Sequence, residues 1–535
     1  VNRTPLTPPG RAAIGLAPFT LFTAMALASC SAPIYDTILQ GGRVVDGTGA
    51  PARQADVAIL DGRIAAIGDL GGAAAATTLD VSGLHVAPGF IDTHSHAGPG
   101  LASAELSHGE PLLAMGLTTV VINPDGGGPV DLDEQRVALE ADGLGLNAAQ
   151  LIGHGSIRRQ VMSMDDRGPT DGELDQMRAL VRTGMEAGAW GLSSGTFYTP
   201  GSYSENVELI ELGRVAGEFG GIYTSHIRDE SNYTIGLVAA VEEVIDVARQ
   251  AGITGVVTHI KALGPPVWGS SAIIVERIEA ARAEGLSVYA DQYPYLASAT
   301  GLSAALLPRW SQAGGSDAFA ERVASPDTRA RIREAMVENL ARRGGADRIQ
   351  FRRFTADPSI EGRLLSDIAA EHEADPIDVA LDLILRGGPS IVSFNMSEED
   401  LLTLMVQEWT MTSSDGGLPQ FGIGVPHPRS YGAFARKIGK FVFEDGVMSL
   451  EAAVRSMTSL PADVMGMDDR GRIEEGMVAD IVVFSDYFRD NATFTEPHQL
   501  SAGVVHLFVG GEAAVSNSSF TGARAGRVLV RGTGG

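Results

Sequence analysis

Residues 87–100 read APGFIDTHSHAGPG. An apolar run ends there by presenting two histidines, His94 and His96, with one residue between them. In an extended strand, residues two apart project to the same side, so both imidazoles face one way at the strand end. That arrangement lets them converge on one cation. A His-x-His pair alone is weak support for a metal, so the other ligands have to be found elsewhere.

Working outward, the same texture recurs. The runs TTVVINPDG, AQLIGHG, WGLSSG, GIYTSHIRDE, TGVVTHIK, LSVYADQYPY and MTSSDG read as strands, and amphipathic stretches of helical length separate most of them. Alternation of this kind is the βα repeat of a parallel sheet. With VAPGFIDTHSH as the first strand, the count reaches eight, which predicts an α/β chain folded as a (β/α)8 TIM-type barrel. Such barrels build their active sites at the C-terminal ends of the strands. His226 ends the fifth run, His259 the sixth and Asp415 the eighth. Four histidines and one carboxylate at predicted strand ends read together as a hydrolytic metal centre. Over a hundred residues separate the last two strands. A structureless loop of that length is rare in a domain, so a helical insertion, about residues 300–390, is expected near the barrel mouth.

The two chain ends differ from this centre. YDTILQGGRVVDGTGAP and ADVAILDGRIAAIGDL near the start, and GRIEEGMVADIVVFSD and GVVHLFVGGEAAV near the end, are short Val/Ile-rich runs broken by glycine turns. The expectation is one small β-domain built from residues 30–86 and 466–535, flanking a barrel at 87–465. Ahead of it, residues 1–29 read as a signal segment, with Arg3 and Arg11 before the apolar run IGLAPFTLFTAMALA. Leu27-Ala28-Ser29-Cys30 resembles a bacterial lipobox. Cys30 would then be lipidated, and Ser31 after it favours the outer membrane, facing the periplasm. Membrane contact would run through that lipid anchor only. Cys30 is the single cysteine, so no internal disulfide or cysteine-based metal site is possible. The formal net charge of -26 repels phosphate backbones and argues against nucleic acid as a partner.

The motifs GGRVVDGTG, APGFIDTHSH, GLTTVV, GHGSIR, GAWGLSSGTFYTPG, SHIRDE, DQYPY and SSDGGLP followed by HPRSYGAF occur in unbroken order over roughly residues 36–510. In this the chain resembles the D-aminoacylase (N-acyl-D-amino-acid deacylase) family of the amidohydrolase superfamily. The superfamily version that bridges two metals with a carboxylated lysine on the fourth strand is excluded, because no lysine precedes Lys261. The resemblance implies zinc, one or two ions, held by His94, His96, His226, His259 and Asp415, with a bridging ligand from a turn after the second strand. The family carries a cysteine in that turn, GNCG, where this chain reads NPDG and offers Asp125. Asp125 is therefore either a carboxylate bridge in place of a thiolate or simply part of a Pro-Asp-Gly turn.

The resemblance further implies that zinc on His226, His259 and Asp125 keeps an open position for a water and lowers its pKa. Asp415 would be the general base and acid. Lys261, Tyr293 and Arg429 would grip a substrate carboxylate; His154 is a site-lining candidate only because it ends the third strand-like run. The substrate expected is a small N-acyl D-amino acid, or a peptide cut before a D-residue. Two other readings stay open: a cyclic-amide hydrolase of the hydantoinase or dihydroorotase kind, and a non-catalytic envelope lipoprotein that uses the barrel as a binding scaffold.

Overall fold

The computed structural model describes residues 34–532, so the expected signal segment and Cys30 lie outside the described residues. The opening stretch proves to be a seam between two sheets rather than one strand. His85–Pro88 pairs with Tyr35–Val44 and with Ile481–Arg489, whereas Phe90–Asp92 pairs with Leu117–Ile122 in the barrel. Gly89 makes the crossing. A Cβ there would stand 2.2 Å from Thr118 Cγ2, so only glycine lets the chain pass this close to the second barrel strand.

The barrel strands are Phe90–Asp92, Leu117–Ile122, Asn147–Gln150 continued by Ile152–Gly153, Gly191–Gly195, Ile222–His226, Thr254–Val257, Val288–Gln292 and Thr410–Thr412. Their mutual pairings are parallel, as the βα repeat predicts. Closure comes from the ends of the last and first strands. Asp415 N–H donates to His94 O at 2.9 Å and His96 N–H to Gly416 O at 2.8 Å. Asp92 clamps the same joint: it accepts from the Ser414 amide at 2.9 Å, from the Ser414 hydroxyl and from the His94 amide at 3.2 Å. Burial pushes the Asp92 carboxyl up to about 6 against the opposing pull of those Ser414 bonds. Outside, helices such as Leu237–Ala251 bury one face, including Leu237, Val241, Val244 and Ala248, at helical spacing against the strands.

The chain ends do share one sheet, in which His85–Pro88 lies between Tyr35–Val44 and Ile481–Arg489. Leu39, Val57, Ile59, Ile481, Val483 and Phe508 form its core. One piece of the expected β-domain goes elsewhere. Val528–Leu529 pairs in parallel with Asn147–Gln150, and Trp190 Nε1–H donates to Leu529 O at 2.8 Å. The end of the described chain thus fills the barrel between its third and fourth strands. A two-residue strand carries no pattern of its own, so nothing local marks this role.

The insertion is helical but not purely so. Ser298–Gly301, Ser390–Ser393 and Ile349–Arg353 form a three-stranded antiparallel sheet, and helices including Pro326–Arg342 and Pro376–Leu385 pack on it. The strands are four or five residues long and pair across most of the insertion, which hides them from local pattern reading.

One buried cation behind the last barrel strand, on the helical segment Lys437–Glu444, has no carboxylate partner among the described residues. Lys437 donates to Thr412 Oγ1 at 2.8 Å and Ser456 Oγ at 3.0 Å, and burial lowers it to about 7. An unfolded lysine titrates near 10.4, so between those values the unfolded state binds one more proton and stability rises with pH. The burden is full below about pH 7. Lys437→Met should therefore raise the thermal midpoint at pH 7, by an equivalent of about 2–4 kcal/mol, and the gain should shrink toward pH 10. Thr412 and Ser456 keep the hydrogen bond they already share, 3.0 Å long. Thermal melts at both pH values check this, and an unchanged or lower midpoint at pH 7 would count against it.

Candidate active site

The strand ends bring together the residues that the sequence singled out. His94 Nε2 lies 3.3 Å from Asp125 Oδ1, and His96 Nε2 lies 3.4 Å from Asp125 Oδ2 and 3.2 Å from Asp415 Oδ1. From the opposite side, His226 Nδ1 and His259 Nε2 approach Asp125 Oδ1 at 3.7 and 3.6 Å. Asp125 therefore stands between two histidine pairs. Two groups of candidate ligand atoms result, one from His94, His96, Asp125 and Asp415 and the other from Asp125, His226 and His259.

Local backbone geometry aims these side chains. Asp125, His259 and Asp415 all have positive φ, at 56°, 35° and 47°. Left-handed conformations cost roughly 1–3 kcal/mol for non-glycine residues and cluster at functional sites. The Asp125 turn is held down by tight contact with the fourth strand, where a Cβ on Gly195 would stand 2.2 Å from Asp125 O. Asn123 anchors its base through Gln135 and Leu151 O. The His259 amide donates to Asp291 Oδ1 at 2.8 Å, so the aspartate of DQYPY sets that histidine's backbone.

Glu230, the last residue of SHIRDE, is a site residue that the sequence reading did not single out. Its Oε1 lies 3.1 Å from His259 Nδ1, its Oε2 lies 3.8 Å from His226 Nε2, and it accepts from Lys261 Nζ. At His259 the close approach to Nδ1 leaves Nε2 directed at Asp125, as partners of metal-bound histidines do. Four-residue spacing from His226 was the available signal. Lys261 also donates to His259 O at 2.8 Å, so it steadies the histidine as well as lining the cavity. Arg429 Nη1 pairs with Asp415 Oδ2 at 2.7 Å and stacks 4.7 Å over the Tyr293 ring. His154 differs from expectation. It is fully buried and bonded to Glu208 at 2.7 Å, because Arg158 and Glu208 draw it into a network below the cavity.

This donor set fits a divalent cation. Both ring nitrogens of His94 and of His226, and Asp125 Oδ1, are buried without a hydrogen-bond partner, and nitrogen and carboxylate oxygen are good zinc donors. The carboxylates also demand positive charge. Burial acts to lower His96, yet Asp125 and Asp415 drive it up to about 9. Burial likewise acts to raise Asp125, and the imidazoles of His94 and His226 still hold it well below the carboxylate range. Above the cluster opens a cavity of about 560 Å³. Tyr198, Thr300, Arg343 and Arg352 line it beside the expected residues, the last three contributed by the insertion.

The amidohydrolase family pattern matches residues 77–515. The chain is 36% identical over 519 residues to the N-acyl-D-glutamate deacylase of Alcaligenes xylosoxydans xylosoxydans, covering 93% of this chain and 96% of that relative. It is 36% identical over 523 residues to the D-aminoacylase of the same organism, covering 93% and 98%. The solved structure of the N-acyl-D-glutamate deacylase from Bordetella bronchiseptica, complexed with zinc and a phosphonate mimic of the tetrahedral intermediate, matches with a TM-score of 0.80. Its identity is 34%, over 93% of this chain and all of that one. A dihydropyrimidinase from Brevibacillus agri shares the fold alone, at 17% identity and a TM-score of 0.56.

Proposed function

The chain belongs to the amidohydrolase family, in its D-aminoacylase branch, and from that premise we propose that it is a zinc-dependent hydrolase of the linear amide bond of N-acyl-D-amino acids. The observation that carries this reading is the Asp125 carboxylate set between the His94–His96 and His226–His259 pairs, with Asp415 beside it. His226, His259 and Asp125 would hold one zinc, and His94, His96, Asp125 and Asp415 could hold a second. Zinc there supplies a Lewis acid that lowers the pKa of a water and polarises the amide carbonyl.

The chain's own residues do the rest. The substrate carboxylate next to the scissile nitrogen competes with Asp415 for the Arg429 guanidinium, in the planar two-pronged geometry that arginine favours. In the free protein, burial acts to raise Asp415, but Arg429 and His259 hold it well below the usual range, which makes it a weak base. Drawing Arg429 onto the substrate relieves that restraint. Asp415 then takes a proton from the attacking water and hands it to the departing amine. Tyr293 and Lys261 complete the grip on the carboxylate. Proton affinity at Asp415 is thereby coupled to occupancy by a correct substrate.

The linear substrate distinguishes this reading from a cyclic-amide hydrolase, and bound zinc with turnover distinguishes it from a binding scaffold. The test is a hydrolysis screen of paired N-acetyl-D- and N-acetyl-L-amino acids, L,D-dipeptides and hydantoins, with zinc measured in the same sample. Hydrolysis confined to hydantoins, or no hydrolysis by zinc-loaded protein, would overturn it.

The envelope location is part of the same proposal, supported by the apolar run IGLAPFTLFTAMALA followed by LASC. Several acyl chains on Cys30 would hold the protein stably on a membrane. Among the described residues no helix is long and apolar enough to cross one. Cys30→Ser should move the protein to the soluble fraction with its activity intact, and membrane-bound Cys30→Ser protein would rule out lipidation.

A further inference from the structure

His427, the first residue of HPRSYGAF, is fully buried, and its ring ties two parts of the cavity wall together. The Arg429 amide donates to Nδ1 at 3.0 Å, and Nε2 lies 3.0 Å from Ala297 O. An imidazole that accepts at Nδ1 carries its proton on Nε2, so the ring is neutral and Nε2–H donates to Ala297 O. Burial, with the charge of the neighbouring Arg429, holds the ring well below the ordinary histidine range and keeps it in that state. Both bonds end beside the substrate space. Arg429 opens the helix Arg429–Arg436, and Ala297 leads into Ser298–Gly301, whose residues line the cavity. The first amides of a helix have no partner within it, and Pro428 at the N-cap has no side-chain acceptor to offer, so His427 Nδ1 serves instead. Three rings hold the imidazole edge-on: Tyr293, Tyr295 and Phe494, with centroids at 6.2, 5.2 and 5.0 Å. Tyr295 in turn donates to Asp490 at 2.7 Å, and Asp490 and Phe494 follow the sheet strand Ile481–Arg489.

The Arg429 side chain is held less firmly than its backbone. Its guanidinium lies 2.7 Å from Asp415 and 4.7 Å over the Tyr293 ring, and Nη1 meets Asp415 without hydrogen-bond geometry. A substrate carboxylate must draw it off Asp415. A side chain that exchanges partners keeps its aim only if its main chain is fixed, and a misplacement of about 1 Å can cost on the order of 100-fold in rate. The imidazole of His427 is not part of the cavity lining, so it meets neither substrate nor metal. Accepting the deacylase reading, we propose that His427 is a positioning residue: its Nδ1 fixes the Arg429 main chain so that the guanidinium meets the carboxylate beside the scissile amide. The bond to Ala297 O and the three rings fix the imidazole in its turn.

The test compares N-acetyl-D-methionine with N-acetyl-D-methioninamide, which lacks the carboxylate, on the zinc-loaded full chain. The unaltered protein should prefer the acid by about 100-fold or more in kcat/KM, as expected when one partner of a buried charge pair is removed. His427→Leu should cut that preference by about tenfold or more, chiefly through a raised KM for the acid. Asparagine places its oxygen where Nδ1 stands, and glutamine places its amide nitrogen where Nε2 stands. His427→Asn should therefore keep the preference within about threefold, whereas His427→Gln should lose it as His427→Leu does. With Arg429→Met already in place, His427→Leu should change the preference by less than about twofold, because the group it acts through is gone. Calorimetry with the same two compounds gives the comparison for binding. Thermal melts establish that each variant folds; should His427→Leu not fold, His427→Asn against His427→Gln carries the comparison. If neither compound is hydrolysed but the acid binds more tightly and His427→Leu removes that preference, the deacylase reading fails and the positioning role stands. The role is overturned if His427→Leu lowers turnover with the preference intact, or if His427→Asn and His427→Gln behave alike. It is equally overturned if His427→Leu still lowers the preference beside Arg429→Met, or if the unaltered protein distinguishes acid from amide in neither turnover nor binding.

Discussion

Asp415→Asn should lower kcat by about 10²–10⁴-fold, the range that a positioned general acid and base contributes, while the zinc held by His226, His259 and Asp125 and the thermal midpoint stay near those of the unaltered protein. The expectation follows from what the substitution leaves alone. His226, His259 and Asp125 form a complete ligand group without Asp415. The Asp415 amide keeps its bond to His94 O, so the closure of the barrel does not depend on the side chain. Asparagine also tolerates the φ of 47° at this position. What is lost is the proton acceptor and the partner of Arg429. With no carboxylate competing for that guanidinium, KM should hold steady or fall, and the whole loss should appear in kcat. Steady-state kinetics with zinc analysis decide the matter, and near-normal turnover would exclude Asp415 as the base.

The second large effect is expected at Asp125. Asp125→Ala should lower zinc content and activity together, by more than about 100-fold in metal affinity, because the remaining histidine pairs hold Zn2+ poorly when neither shares a bridging ligand. The turn itself is a confounder, since alanine is strained at the φ of 56° found here. Asp125→Asn separates the two effects: it accepts the left-handed turn but removes the charge. Loss of zinc in both variants identifies the carboxylate as the cause. Asp125→Cys should outperform alanine, because a thiolate suits Zn2+, although its single sulfur cannot reach toward His96 and His94 as two oxygens do. Full zinc and full turnover in Asp125→Ala would reduce Asp125 to a turn residue.

Much of this site was legible in the chain because strand ends are local features. His94 and His96 close the FIDTHSH run, and His226, His259 and Asp415 each follow a β-rich run. Once eight such runs are assigned to one barrel, its closure carries their ends to a common rim whatever the loops do. Glu230 was present in SHIRDE, four residues from His226, but its role depends on meeting His259 and Lys261 from the next strand. Asp92 and Asp291 are similar, since they act on the adjacent strand, through Ser414 and the His259 amide.

By itself, then, the sequence determined the barrel, the strand character of both chain ends, and the four histidines with Asp415 at its rim. Each of these rests on periodicity and turn residues within a single segment. Only the tertiary structure decided that APGF is a crossing between two sheets and that Val528–Leu529 belongs to the barrel wall. It likewise decided that Asp125 faces both histidine pairs and that His154 turns away to Glu208. These outcomes depend on which distant side chain supplies, or fails to supply, the opposite charge or the hydrogen bond. A buried polar group takes its meaning from its partner, and partners are chosen by the fold in space, not by order along the chain.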